Sequence, residues 1–320
     1  MKKYILTTGP ALLYKVPLQE VHSEKNIYRI NGAHGSIEDI DKTVTEIRRQ
    51  IKNADILIDL PGNKIRTKNL KKALLVKKDE FFEIPSNNFN YPQYYSHLKK
   101  GMIVWANDSI LKFIVEDANE KRIRFLSKST GVLDNNKGMH VRGIHGGIPF
   151  LFQKDKGLIE LCNKRNISYI GLSFVRTVEN IKEVKALLNT ECKLISKVET
   201  KDAVKNLQSI LNEVEYILVD RGDLSTEIGV ERVPQFQKYI IEMALYNSKK
   251  VFLATQILKN MESKPIPTIA EINDLYTSMK MGVYGIQMSE ETAVGEYVCE
   301  CVNVLRKMDE EIGRETLMIE

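Results

Sequence analysis

Eight short runs of mainly apolar residues, many of them β-branched, recur along this chain, and longer amphipathic stretches separate several of them. The runs span 4–8, 26–30, 55–59, 169–173, 193–197, 215–220, 251–255 and 284–288. Helical patterns at 178–188, 203–211, 234–247 and 269–281 place apolar residues three and four apart. This alternation is the signature of βα units around a parallel sheet. Eight such units predict an α/β fold, a (β/α)₈ TIM barrel, which typically takes about 250 residues.

The chain has 320 residues, and the barrel accounts for them only if one segment is set aside. The third and fourth runs are separated by a stretch far longer than an ordinary loop. Short strand-like runs at 81–84, 102–105, 111–115 and 122–126, with polar turns between them, give that stretch its own texture. The expected organisation is a catalytic barrel from 1–67 and 143–320, with 68–142 forming a small inserted β-barrel lid domain over the barrel mouth.

Composition sets the class. With 43% hydrophobic and 28% charged residues the chain is ordinary globular protein, neither disordered nor collagen-like. No apolar run approaches the roughly 20 residues of a membrane-spanning helix. The apolar stretch 4–6 breaks at Thr7-Thr8-Gly9-Pro10, too early for a secretory signal. Four cysteines (Cys162, Cys192, Cys299, Cys301) show neither a disulfide framework nor metal-ligand spacing, so a reduced, cytoplasmic protein is expected. The net charge of +5 comes from scattered Lys and Arg, not from a basic stripe interleaved with aromatics. No nucleic-acid or membrane partner is expected; a small phosphorylated anion suits the balance.

In such barrels the chemistry sits at the C-terminal ends of the strands. Polar residues gather there: Arg29, Asn31 and His34; Asp59, Lys64 and Arg66; Ser173 and Arg176; Lys197 and Glu199; Asp220 to Asp223; Thr255 and Gln256; Ser289 and Glu291. Glu199 and Asp223 come from adjacent strands and together suit a hard divalent cation such as Mg²⁺ or Mn²⁺. Lys197 precedes Glu199 by two, so both face one side of a strand. A lysine beside a metal and arginines indicates an anionic substrate, a phosphate ester. Gly222-Asp223-Leu224-Ser225 is suited to open a helix whose free N–H groups bind an anion. Each residue also has a plainer reading. Lys197–Glu199 alone is a barrel-rim ion pair, Asp223 a helix cap, Thr255 a strand-end hydrogen bond, and His22, His97 and His145 surface or lid histidines. The joint arrangement favours chemistry. Phosphate-loop, dinucleotide and His-Glu-x-x-His motifs are absent from the sequence.

Longer motifs sharpen this. Thr7-Thr8-Gly9-Pro10-Ala11, Arg29-Ile30-Asn31-Gly32-Ala33-His34-Gly35 and Asp59-Leu60-Pro61-Gly62-Asn63-Lys64-Ile65-Arg66-Thr67 are followed by Lys137-Gly138, Ser173-Phe174-Val175-Arg176, Ser196-Lys197-Val198-Glu199, Arg221-Gly222-Asp223-Leu224, Ala254-Thr255-Gln256, Pro267-Thr268 and Met288-Ser289-Glu290-Glu291-Thr292. In content and order the chain resembles the pyruvate kinase family across nearly its whole length. The resemblance implies a transferase of glycolysis moving a phosphoryl group between phosphoenolpyruvate and ADP, giving pyruvate and ATP, and needing Mg²⁺. It implies that Glu199 and Asp223 hold the metal and that Lys197 stabilises the phosphoryl group in flight. Arg29 would hold the phosphate, Thr255 would assist protonation of the enolate carbon, and the amides of Gly222 and Asp223 would receive the carboxylate near Ser173. His34, Arg66 and Lys137 would contact the nucleotide with Pro10 near its base, and Asn31, with Asp59, persists from the set that holds a monovalent cation in most of the family.

Departures from the family pattern carry information. Ala33 and Leu60 stand where potassium-dependent members carry hydroxyls, and Lys64 stands where they carry Glu. That set resembles the potassium-independent branch, in which a lysine ammonium replaces the ion, so no K⁺ requirement is expected. Asp220 replaces a small Ala beside the carboxylate site, and if it points inward it repels the substrate. Glu290 and Ser225 replace glycines, and Asn107 replaces an acidic lid residue beside Asp108. The sequence ends after the eighth helix, where full-length members continue into an effector-binding domain. The expectation is therefore no sugar-phosphate activation and a homo-oligomer, dimer or tetramer. Three rivals stay open: a divergent relative phosphorylating another enol, acyl or hydroxy-acid substrate, a Mg²⁺-dependent 2-oxo-acid lyase, and a silent binding protein.

Overall fold

The protein is described here from a computed structural model covering residues 2–107 and 109–319. The first three barrel strands and their helices are β1 (Lys3–Thr7), α1 (Leu18–Val21), β2 (Asn26–Asn31), α2 (Ile37–Gln50) and β3 (Asp55–Asp59). Seven short strands follow: β4 (Leu74–Val76), β5 (Phe81–Pro85), β6 (Ile103–Ala106), β7 (Leu111–Ala118), β8 (Arg122–Ser127), β9 (Gly131–Leu133) and β10 (Met139–His140). The barrel resumes with α3 (Gln153–Arg165), β11 (Tyr169–Leu172), α4 (Val178–Lys185), β12 (Lys193–Val198), α5 (Lys201–Lys205), α6 (Leu207–Glu213) and β13 (Tyr216–Asp220). It ends with α7 (Arg221–Ile228), α8 (Val233–Tyr246), β14 (Lys250–Ala254), α9 (Ile269–Lys280), β15 (Gly285–Met288), α10 (Glu290–Ala293) and α11 (Val298–Ile319). Asp108 and Glu320, and the side chain of His145, lie outside the described residues.

Eight parallel strands close in the order β1-β15-β14-β13-β12-β11-β3-β2, the barrel expected from the eight apolar runs. Both faces of each strand are buried, which is why the runs read as nearly continuous apolar sequence. Successive residues point to opposite faces. Ile5, Ile27, Leu57, Ile195 and Leu218 fill the barrel interior, closed by Tyr169, Tyr216 and Phe252. Leu6, Tyr28, Ile58, Ile170 and Val219 face the helices instead. The helices start where side chains satisfy their free N–H groups. Ser36 accepts from Asp39 N while Asp39 accepts from Ser36 N, fixing the start of α2 with Ile40, Val44 and Ile47 against the barrel.

Two helix patterns come out shorter than their apolar spacing suggests. The helix expected over 178–188 stops at Lys185. The one over 203–211 is two, broken at Asn206, whose side-chain amide donates to the Arg176 carbonyl at 2.9 Å. Between β3 and α3, one five-stranded antiparallel sheet (β10-β6-β7-β8-β5) and the β4–β9 pair enclose their own core around Val104, Phe113, Ile123 and Phe125. Strands β4, β9 and β10, of two or three residues, are too short for alternation to mark them.

Candidate active site

Lys197 is the centre of the strand-end cluster. Its ammonium lies 3.2 Å from Glu199 Oε2, 3.2 Å from Asp220 Oδ2 and 3.6 Å from Asp59 Oδ2, and it donates to Ser173 Oγ at 3.2 Å. These partners come from four places on the barrel rim: the end of β3, the residue after β11, the residue after β12 and the end of β13. The two-residue spacing of Lys197 and Glu199 puts both on the inside, as the pleat requires. Burial opposes the charge on Lys197, but Asp59, Glu199 and Asp220 outweigh it and hold the ammonium well above the ordinary lysine range. Burial also pushes the Glu199 carboxyl upward, against the pull of Lys197.

Arg29 is fixed beside this cluster. Its Nε and Nη2 donate to Asp59 Oδ2 at 2.9 and 2.6 Å, and its Nη1 donates to Thr7 Oγ1 at 2.9 Å. A guanidinium has five N–H groups, so donors beyond these three are available to an anion. Burial of Asp59 is overcome by Lys197 and Arg29, which keep its carboxylate below the usual range. Gly171 makes room for it: a Cβ there would stand 2.5 Å from Asp59 Oδ1.

On the other side, Lys64 Nζ pairs with Asp223 Oδ1 at 2.6 Å. Burial would raise Asp223, but Lys64 and then Lys197 hold it well below the usual carboxylate range. Asp223 lies in the first turn of α7, and Asp220 caps that helix, accepting from Asp223 N at 3.5 Å. Gly222 N donates to Thr255 Oγ1 at 2.8 Å, and that hydroxyl donates to the Ala254 carbonyl at 2.6 Å. The helix therefore opens at Arg221, one residue before the expected Gly222, and its cap is Asp220, not Asp223. Three non-glycine residues at the site hold a left-handed backbone: Phe174 (φ +57°), Thr255 (φ +71°) and Gln256 (φ +54°). Such strain is costly, and at Phe174 it accompanies an N–H donated to Glu199 Oε1 at 2.6 Å.

The residues present fit a hard divalent cation. Glu199, Asp220 and Asp223 each offer a carboxylate oxygen, all within 4.8 Å of one another. Glu199 Oε2 is buried and accepts no hydrogen bond, its charge met by Lys197 alone among the ion pairs of the described residues. Oxygen donors of this kind suit Mg²⁺.

The residues expected on the nucleotide side, and Asn31 of the cation set, are spread more widely. Arg66 donates to the Asn136 carbonyl at 3.1 Å. His34 reaches solvent at the rim, but surrounding protein partly desolvates its ring, and this and then the charges of Arg66, Lys154 and Arg29 lower its pKa. Asn31 Oδ1 accepts from Ala33 N. Pro10 is exposed at the head of a five-residue π-helical turn, and Lys137 is tied through its backbone to Thr67. Among the described residues, Pro10 and Lys137 make no hydrogen bond to the Lys197 cluster. Glu290 is exposed, while its neighbour Glu291 is buried and accepts from Ser289 N at 2.7 Å.

Three supports were not singled out from sequence. Thr7 orients Arg29. Asp155 accepts from Gly62 N at 3.0 Å and Phe152 N at 2.7 Å, anchoring the loop that leads to Lys64. His140 Nε2 lies 2.7 Å from Glu227 Oε2, joining β10 to α7 with both side chains buried. An acidic residue in the first turn of a helix was the readable signal for Asp155. The other two depend on pairings across the fold.

Residues 1–302 match the family described as Pyruvate kinase, barrel domain. A protein of Thermotoga maritima named pyruvate kinase is 30% identical, the match covering 98% of this chain and 71% of that one. One of the same name from Thermococcus litoralis is 31% identical, covering 96% and 68%. Another, from Borreliella burgdorferi, is 31% identical, covering 92% of this chain and 64% of its own length.

Proposed function

Because the chain belongs to the pyruvate kinase family of phosphotransferases, we propose that it moves a phosphoryl group between a small phosphorylated enol and ADP, with phosphoenolpyruvate as the reference substrate. The observation that carries this reading is the buried Lys197 ammonium beside Arg29, held at the rim by carboxylates from separate strands. In the transfer, the bond from phosphorus to the enol oxygen breaks and one to the terminal oxygen of ADP forms. Negative charge on the phosphoryl oxygens grows where Lys197 and Arg29 already point, so stabilisation needs no rearrangement. Arg29 is kept in place by Asp59 and Thr7. Glu199 and Asp223 would hold a Mg²⁺ or Mn²⁺ ion, which supplies charge neutralisation at the transferring oxygens. The enolate left behind takes a proton on carbon, and Thr255, fixed between Gly222 N and the Ala254 carbonyl, is the polar group oriented to relay it through water. His34, Arg66, Lys137 and Pro10 would border the nucleotide.

Lys64 supports independence from K⁺. Its ammonium, already bonded to Asp223, is a fixed positive charge at the site. A second reading keeps the transfer and changes the acid to another enol, acyl or hydroxy-acid substrate; the inward-facing Asp220 favours it. The test is formation of pyruvate from phosphoenolpyruvate and ADP with Mg²⁺, with and without K⁺. Turnover indifferent to K⁺ supports the first reading. Absent turnover in a folded protein that binds Mg²⁺ and ADP moves the assignment to the second.

A further inference from the structure

Asp220 turns inward at the strand-end cluster. One of its oxygens lies 3.2 Å from Lys197 Nζ, and its Oδ1 is the acceptor facing Asp223 N at 3.5 Å. Gly222 N, the neighbouring amide of the same helical turn, is taken by Thr255 Oγ1 at 2.8 Å. A carboxylate oxygen of Asp220 also lies within 4.8 Å of oxygens of Glu199 and Asp223. The residue is 6% exposed and ends a strand paired on both sides, its own partner in β14 being Ala254. Among the side chains alone, before any metal ion binds, the three cations Arg29, Lys64 and Lys197 face the four carboxylates Asp59, Glu199, Asp220 and Asp223, and Asp220 is the one that takes the set past neutrality.

We propose that Asp220 is the protein's own stand-in for a substrate carboxylate, and that it turns the site away from substrates carrying a free carboxylate there, toward phosphorylated enol or acyl compounds with an uncharged group at that position. This inference rests on the phosphoryl-transfer reading and decides between its two substrate classes. If the amides of Gly222 and Asp223 receive the substrate carboxylate, as the family resemblance implies, that group meets the like charge of Asp220 in a buried setting, where screening is weak. An amide or ester group meets none. The same side chain already gives the helix terminus and Lys197 the negative partner that a carboxylate substrate would bring.

The experiment is calorimetric titration of pyruvate and of its neutral analogue pyruvamide, with Mg²⁺ saturating, into the wild-type protein, Asp220→Asn and Asp220→Ala. Asparagine is as good a helix cap as aspartate, so Asp220→Asn removes the charge while keeping the cap, and thermal melts of both variants check folding. The expected result is no preference for pyruvate in the wild type. Pyruvate affinity should rise about tenfold or more in both variants, with pyruvamide changed by less than about threefold. A role confined to capping would lower the melting point of Asp220→Ala and leave the pyruvate-to-pyruvamide ratio where it was. An unchanged ratio, a wild type that prefers pyruvate strongly, or no pyruvate binding in any of the three overturns the proposal. ADP is titrated into the same samples: loss of ADP binding in the wild type counts against phosphoryl transfer itself, whatever the ratio shows.

Discussion

Replacing Lys197 by methionine removes one buried charge and keeps most of the side-chain volume. The wild-type ammonium faces two carboxylate oxygens at 3.2 Å and a third at 3.6 Å. At an effective dielectric of about 20, one such pair has a Coulomb energy of roughly 5 kcal/mol. The net loss is smaller, because the carboxylates regain protons and Asp59 keeps Arg29; breaking a buried pair typically costs about 3–5 kcal/mol. Urea unfolding of Lys197→Met at pH 8 should show a loss of that size. The deficit should shrink on acidification. Without the lysine, the Glu199 carboxyl, already raised by burial, rises further, so the folded variant takes up that proton at higher pH than the wild type does and its deficit narrows as pH falls. Turnover should fall by about 10²–10³ or more, the scale of removing one preorganised donor to a transition-state charge. Mn²⁺ binding, followed by spin resonance, should persist, since Glu199 and Asp223 remain. A variant within a few-fold of wild-type kcat, or one as stable as wild type at pH 8, refutes the reasoning.

Two further changes test the surroundings of this centre. Lys64→Glu exchanges the ammonium bonded to Asp223 for a like charge; activity should then require added K⁺ or vanish, and an active variant indifferent to K⁺ removes the charge-substitution argument. Asp155→Asn leaves one acceptor oxygen for two amides, Gly62 N and Phe152 N, and should cost about 1–3 kcal/mol at pH 8. Burial pushes the Asp155 carboxyl up to about 6. Between its unfolded value and about 6 the folded wild type binds the extra proton, so wild-type stability from this group rises as pH falls through that window. The gap between wild type and Asp155→Asn in urea should widen by about 2 kcal/mol from pH 7 to 4, and parallel pH profiles would count against that assignment.

The barrel was legible because its strands are buried on both faces and its helices on one, so apolar spacing alone separates the two. The strand limits shifted by no more than a residue, as at 4–8, which forms as Lys3–Thr7. What escaped was structure held by single side-chain bonds: the break at Asn206, made by its bond to the Arg176 carbonyl, leaves no trace in periodicity. At the site, strand-end position and residue type pointed to Arg29, Ser173, Lys197, Glu199 and Asp223. Partnership was not legible. That Asp59 serves both Arg29 and Lys197, or that Asp220 turns inward to share that lysine, depends on distances between strands that no local pattern encodes. The left-handed backbone at Thr255 is likewise invisible, since a β-branched residue argues against it.

The Thr7 hydroxyl that accepts from Arg29 donates in turn to the Met288 carbonyl at 2.7 Å, across 281 residues of sequence. This bond lies on the seam where β1 meets β15 and the barrel closes. Loop closure over such a span is among the slow, entropically opposed events of folding. Arg29, proposed above to hold the phosphate, is therefore fully seated only once the first and last strands have found each other. During refolding, or during synthesis on the ribosome, compact structure should accumulate ahead of catalytic competence, with recovered turnover serving as a clock for the final strand pairing.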